Sequence, residues 1–257
     1  FLYLCALSFM IPSWGTAQVA QTEKLNRGVV AVNMSKSEGQ KKTGIFLSWR
    51  FLDSDDKTTA FNVYRDGTLL TPTPLTTVTN FTDTEGTTSS KYVVETLVNG
   101  QVTESTTVDE IWPTIYKEIP LNRPTASDCT YSPNDCSTGD VDGDGEYEII
   151  VKWDPSNSKD NSQSGHTGNV FLDCYKLNGT HLWRIDLGCN IRAGAHYTQF
   201  MVYDLDGDGK AEVACKTAPG TIDGAGNHVL MGSDDPSKDY RNSSGYILSG
   251  PEYLTVF

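Results

Sequence analysis

The chain is short of positive charge, of histidine and of paired cysteine motifs, and each shortage excludes something. Lys and Arg number 20 against 33 Asp and Glu, leaving a net charge of −13 and a pI near 4.6. With no basic patch to neutralise phosphates, a nucleic-acid partner is not expected. The six cysteines and four histidines contain no Cys-x-x-Cys and no Cys/His spacing of the zinc-binding kind, so a zinc centre is not expected either. No membrane span is expected. The apolar run Phe1-Leu-Tyr-Leu-Cys5-Ala-Leu-Ser-Phe-Met10-Ile11 is too short to cross a bilayer. It leads to the small residues Gly15-Thr16-Ala17 and reads as an incomplete secretory signal over residues 1–17, without an initiator Met or a basic start. Secretion is therefore expected. Five cysteines follow the signal. Cys129 and Cys136 flank a short loop suited to a local disulfide, and the odd count leaves a thiol over. Cys174 and Cys215 lie in strand-like runs and read as buried apolar residues.

What the chain has in quantity is acid, and in a pattern. Asp140-Val-Asp142-Gly-Asp144-Gly-Glu146-Tyr-Glu148 and Asp204-Leu-Asp206-Gly-Asp208-Gly-Lys210-Ala-Glu212 are two copies of one turn. Each has Asp at positions 1, 3 and 5 and Glu at position 9, and each runs into an apolar stretch that ends in Lys152 or Lys216. Alternate carboxylates converge when the intervening glycines let the chain curl, and that many hard oxygens favour Ca²⁺. Position 7, Glu146 or Lys210, is expected to offer its backbone carbonyl, since a Lys side chain has no lone pair to give. An EF-hand fits poorly: its twelfth position needs Glu where this chain has Val151 and Cys215, and β-branched residues follow instead of a helix. Two solvated Asp-Gly turns are the plain alternative, weakened by the repetition.

Residues 24–110 read as an all-β sandwich of short strands, with runs at 45–50, 61–65, 91–98 and 102–108 and hairpin signals at Asp66-Gly67 and Asn99-Gly100. Trp49 and Tyr64 read as core residues rather than as a sugar platform. After a linker over residues 112–124 the acidic repeat begins. Strands are expected at 148–153, 170–177 and 181–187 in the first unit and at 199–203 and 212–216 in the second. A polar loop over 217–250 leads to a further strand at 253–257. Repeated short strands suggest the blades of a β-propeller over residues 111–257, with a β-solenoid as the alternative. Two such units do not close a ring, so the chain is expected to be the front of a longer protein.

Particular stretches resemble a known family. These are Leu25-Asn-Arg27-Gly28-Val-Val-Ala-Val32, Phe61-Asn-Val-Tyr64-Arg65-Asp66-Gly67, the turn from Gly139 to Gly145, Lys152-Trp153-Asp154-Pro155-Ser-Asn-Ser-Lys159-Asp160-Asn161 and Ile191-Arg192-Ala-Gly-Ala-His196-Tyr-Thr-Gln-Phe200. They are similar to the secreted rhamnogalacturonan lyases of polysaccharide lyase family 11. The resemblance implies a fibronectin-type-III-like β-sandwich followed by an eight-bladed, calcium-stabilised propeller, of which about two blades are present. It implies cleavage of the galacturonate–rhamnose backbone of rhamnogalacturonan I by β-elimination, and a monomer is expected. It also implies that Asn134 and Asp154 touch the substrate and that Asp135 helps to hold an active-site calcium with ligands from later blades. On the residues alone, Asn134 and Asp135 shape a turn and Asp154 closes a strand before Pro155. Arg192 and His196 suit an elimination site, but a packed His and an Arg paired with an acidic turn are equally good readings. Lys152 and Lys216 recur with the repeat and read as structural. No catalytic base is nominated. The rival function is a non-catalytic calcium-binding propeller used for adhesion or glycan binding.

Overall fold

The computed structural model describes residues 23–34 and 43–257, and every named element among them is a β-strand. The expected signal segment lies outside the described residues. The first unit contains β1 (Val30–Asn33), β2 (Ile45–Ser48), β3 (Thr59–Arg65), β4 (Thr68–Leu69), β5 (Asn80–Asp83), β6 (Tyr92–Val98), β7 (Gln101–Thr107) and β8 (Ile111–Trp112). One sheet runs β5-β2-β1-β8 and the other β4-β3-β6-β7. Strand alternation builds their shared core: Ile45 and Leu47 from β2 meet Phe61 and Val63 from β3 and Tyr92 and Val94 from β6. Trp49 lies in this core with its ring 5.3 Å edge-on from Phe61. Each such side chain, fully buried, stabilises by about 1.5–3 kcal/mol. The two expected hairpins form. Asp66 and Asn99 take φ of 51°, and Gly67 and Gly100 take 81° and 79°, the paired positive φ of a two-residue turn matched to strand twist.

The rest of the chain forms two antiparallel sheets whose strands follow in chain order. β9 (Tyr131–Gly139), β10 (Glu148–Pro155), β11 (Phe171–Tyr175) and β12 (His181–Asp186) make the first; β13 (Phe200–Tyr203), β14 (Glu212–Thr217) and β15 (Tyr253–Val256) make the second. One apolar core joins them, with Ile150, Leu172, Cys174 and Ile185 from the first sheet and Val213 and Cys215 from the second. The two buried cysteines are thus core residues, as their strand-like context indicated, and burial pushes both thiols up to about 12.

β9 departs from the sequence reading. Residues 132–135 are part of a strand, not a loop. Pro133 is tolerated because β9 is an edge strand. The register slips so that Asn134 and Asp135 face the single residue Lys152, a β-bulge. Cys129 and Cys136 are both free thiols, so the local disulfide does not form.

Residues 113–130 carry no strand and run past the first sheet. Asn122 N donates to Tyr175 Oη at 2.9 Å, and the Asn122 carbonyl accepts from Arg184.

Candidate metal centres and surrounding residues

The two acidic turns have the same backbone. Asp140 accepts from the N–H groups of Gly143, Asp144 and Gly145 at 2.7, 3.1 and 2.9 Å. Asp204 accepts from Gly207 and Gly209 at 2.7 and 3.0 Å. Position 3 accepts from the amide two residues on, at 3.2 Å for Asp142 and 3.0 Å for Asp206. Position 5 does the same, at 2.9 Å for both Asp144 and Asp208. Glu148 and Glu212 close the curl on the amides of Val141 and Leu205 at 3.0 and 2.7 Å. The curl needs positive φ at Gly143, Gly145, Gly207 and Gly209, between 77° and 96°, where only glycine is at ease. Each turn leads into a strand, β10 or β14, and not into a helix.

This wrapping gathers Asp140, Asp142 and Glu148 in one trio and Asp204, Asp206 and Glu212 in another, each with carboxylate oxygens within 4.8 Å of one another. Three converging carboxylates suit a hard divalent cation. Glu148 is fully buried, and burial, followed by the charges of Asp142 and Asp144, raises its carboxyl above the ordinary value against the Val141 N–H and Lys176. Such crowding is costly without a cation. Asp144 and Asp208 lie outside the trios. Glu146 accepts from Asn26 Nδ2 at 3.3 Å. The Lys210 stem lies against Gly143 of the first turn, with Cε 3.0 Å from where a Cβ would stand.

The surroundings of the two turns differ. The first is clasped by the sandwich side of the molecule: Glu23 accepts from Asp140 N at 3.0 Å, Asn26 N donates to the Gly145 carbonyl at 2.8 Å, and Arg50 sits 4.9 Å over the Tyr147 ring. Lys176, one residue past β11, places Nζ 2.5 Å from Asp142, 2.6 Å from Asp144 and 3.8 Å from Glu148. Those carboxylates raise the ammonium above its ordinary value, and Lys176 holds Asp144 below its own. Sequence reasoning passed over Lys176 because its partners are distant in the chain; only the β10–β11 pairing brings it to the turn.

The residues expected at a cleft are placed as follows. Asn134 is exposed on β9 in the bulge, and its carbonyl is 3.8 Å from the Cys136 thiol. Asp135 is ion-paired to Lys152 and belongs to neither trio. Lys216 pairs with Glu252 at 3.0 Å, so both repeat lysines bind a carboxylate on a neighbouring segment. Asp154, near the end of β10, accepts from Ser158 Oγ at 3.1 Å. The loop beyond it carries Asp160, which His196 Nδ1 meets at 3.0 Å and which that bond holds below its ordinary pKa. Arg192 pairs with no acidic turn. Its buried guanidinium donates to the carbonyls of Asp160, Gln163 and Gly165 and lies 4.5 Å over Tyr246. Asp154 and the loops bearing Asp160, Arg192 and His196 follow the far ends of the strands, whereas the acidic turns precede β10 and β14.

A second unforeseen group is Asp173, fully buried in β11. It accepts from Trp153 Nε1 at 2.9 Å, Tyr175 Oη at 2.7 Å and Arg184 Nε at 2.6 Å. Burial pushes its carboxyl up, but the bonds from Arg184, Tyr175 and Trp153 outweigh it, and the net shift is downward. A lone acid inside Phe171-Leu-Asp173-Cys-Tyr175 was the available signal, since a buried charge requires partners.

The resemblance drawn from sequence stretches extends to whole-chain comparison. A family model for the rhamnogalacturonan lyase family 11 C-terminal domain matches residues 116–257, and one for the β-sheet domain of rhamnogalacturonan I lyases matches residues 20–112. The chain is 56% identical to the rhamnogalacturonan endolyase YesW of Bacillus subtilis and 54% identical to the exolyase YesX of the same organism. Each match covers 92% of this chain, but only 37% and 38% of the relatives. The crystal structure of YesX superposes with a TM-score of 0.84, again over 92% of this chain and 38% of that one. The Bacillus licheniformis rhamnogalacturonan lyase PL11 superposes at 0.83 with 53% identity, over 94% of this chain and 40% of that one. The chain thus spans about two fifths of the length of the relatives it matches, and on these matches it belongs to rhamnogalacturonan lyase family 11.

Proposed function

We propose that this chain supplies part of a secreted, calcium-binding lyase that cleaves the galacturonate–rhamnose backbone of rhamnogalacturonan I by β-elimination. The observation that carries this reading is the identity above 50% to both an endolyase and an exolyase across 92% of the chain. Near-equal identity to the two leaves this region without a preference between endo and exo cleavage. The same identity disfavours a non-catalytic adhesion propeller.

In this reading residues 24–110 are the fibronectin-type-III-like sandwich, and the sheets β9–β12 and β13–β15 are successive blades of an eight-bladed propeller spanning residues 111–257 and beyond. Two features support the blades. Both sheets contribute to one apolar core. The other face of the second sheet turns Met201, Tyr203, Leu254 and Val256 to solvent, a suitable seat for a further sheet.

The reaction removes the proton at C5 of galacturonate, next to a carboxylate that resists more negative charge, and expels the oxygen at C4. A bound divalent cation would neutralise such a carboxylate. Asp140, Asp142 and Glu148, and Asp204, Asp206 and Glu212, would hold calcium, with Asp144, Asp208 and the position-7 residues Glu146 and Lys210 completing each shell. The separation of these turns from the Asp154 end supports a role in holding sheets over one in chemistry. Asn134, exposed in the bulge, and Asp154, positioned by Ser158, are the proposed sugar contacts. Asp135, tied to Lys152, would complete an active-site calcium only with ligands from elsewhere in the longer protein.

The test is ultraviolet absorbance of the unsaturated uronide formed from rhamnogalacturonan I. The full-length protein containing this chain is expected to produce it, and to lose activity after chelation. The 257-residue chain alone is expected to produce none. No product from the full-length protein would sink the reading; product from the chain alone would overturn the assignment of most of the cleft elsewhere.

A further inference from the structure

The two acidic turns share a backbone but not a charge environment. In the first, the Lys176 ammonium lies at 2.5, 2.6 and 3.8 Å from Asp142, Asp144 and Glu148, and two of those three residues belong to the trio that gathers around a cation. In the second, no Lys or Arg among the described residues pairs with Asp206, Asp208 or Glu212. Lys210, in the second turn, has its stem against Gly143 of the first. Arg50 reaches the first turn as well, donating to the Gly145 carbonyl at 3.3 Å. Positive charge is thus concentrated at the first turn.

We propose that Lys176 is a tethered counter-ion of the first turn, which competes with a divalent cation for Asp142, Asp144 and Glu148. A cation entering there must displace the ammonium or share oxygens with it. Two like charges within a few ångströms repel strongly in a partly buried site. The first turn therefore keeps its shape without metal and binds metal more weakly. Among the described residues the second has no paired Lys or Arg, which leaves metal to offset its acid. Backbone amides bind positions 1, 3, 5 and 9 in both turns, and among the described residues Lys176 is the cation ion-paired with turn carboxylates.

This inference rests on the calcium reading proposed above, and the test separates the two. Calcium titration calorimetry on the purified chain uses Asp206→Asn to leave the first turn and Asp142→Asn to leave the second. The first turn is expected to bind more weakly than the second. Lys176→Met, added to Asp206→Asn, is expected to tighten the first turn by about tenfold, whereas Lys176→Arg in the same background keeps it weak. Lys176→Met added to Asp142→Asn is expected to leave the second turn unchanged. In chelator, Lys176→Met is expected to lower the thermal midpoint of the chain, which Lys176→Arg leaves in place. Unchanged or weaker calcium binding at the first turn in Lys176→Met overturns the proposal. Should that variant fail to fold, equal or tighter binding at the first turn than at the second, with Lys176 present in both, overturns it as well. Calcium uptake at neither turn sinks the metal reading itself.

Discussion

The first repeated sheet has more partners within this chain than the second, which is covered on one face, although the same turn introduces β10 and β14. The first has four strands, a strap of chain over residues 113–130, a buried Asp173 hub and a turn clasped by Glu23, Asn26 and Lys176. The second has three strands, an apolar outer face open to solvent and a turn whose carboxylates accept from its own amides. A repeat therefore specifies a local shape, while neighbours decide how much that shape contributes to stability.

The largest expected break in this contrast is at Asp173. Asp173→Ala leaves Arg184, Tyr175 and Trp153 without their buried acceptor and should cost about 3–5 kcal/mol, read by urea denaturation. The sign with pH follows from the depressed carboxyl. Its contribution is complete above the ordinary value of 3.8 and is lost as pH falls through the lower folded value. Midpoints followed down an acid series should show that loss, and Asp173→Asn should remove it. A variant as acid-sensitive as the parent would show that another group governs the decline.

Gly139 tests how closely the two sheets approach. A Cβ there would stand 2.6 Å from Ala211 Cβ and 2.7 Å from Val202 Cγ1, so Gly139→Ala should cost about 1–3 kcal/mol through overpacking. An unchanged denaturation midpoint would mean that the sheets part easily.

Chelation sharpens the comparison directly. Hydrogen exchange at the amides of Gly207 and Gly209 should speed up more in chelator than at Gly143 and Gly145, which Lys176 and the sandwich contacts hold. Equal acceleration would erase the distinction between the turns. The smallest effect is expected at Leu254, 82% exposed on β15. Leu254→Ser should change the stability of this chain by less than about 0.5 kcal/mol, whereas a change of several would reveal packing on that face.

Much of the fold was legible because its signals are local. Asp66-Gly67 and Asn99-Gly100 mark turns by the φ they tolerate, and alternation in β2 and β6 marks a half-buried face. β9 was not legible, because Pro133 and the polar run around it argue for a loop, and an edge position with a bulge is a property of the partner strand. The acidic turns were visible in spacing alone, but that position 5 stands outside each trio was not. The placement of Asp135 on Lys152 and of Arg192 among carbonyls was not, since both depend on which segments meet.

By itself the sequence determined the all-β character, the two acidic turns and the family, since each is written in neighbouring residues: period-two alternation, glycines between carboxylates, and long matching stretches. The tertiary structure alone decided that Lys176 faces one turn and not the other, that Asp173 is a buried hub, and that Cys129 and Cys136 stay apart. Those outcomes depend on strand pairing across tens of residues, and electrostatic and packing energies act on distance in space, not along the chain.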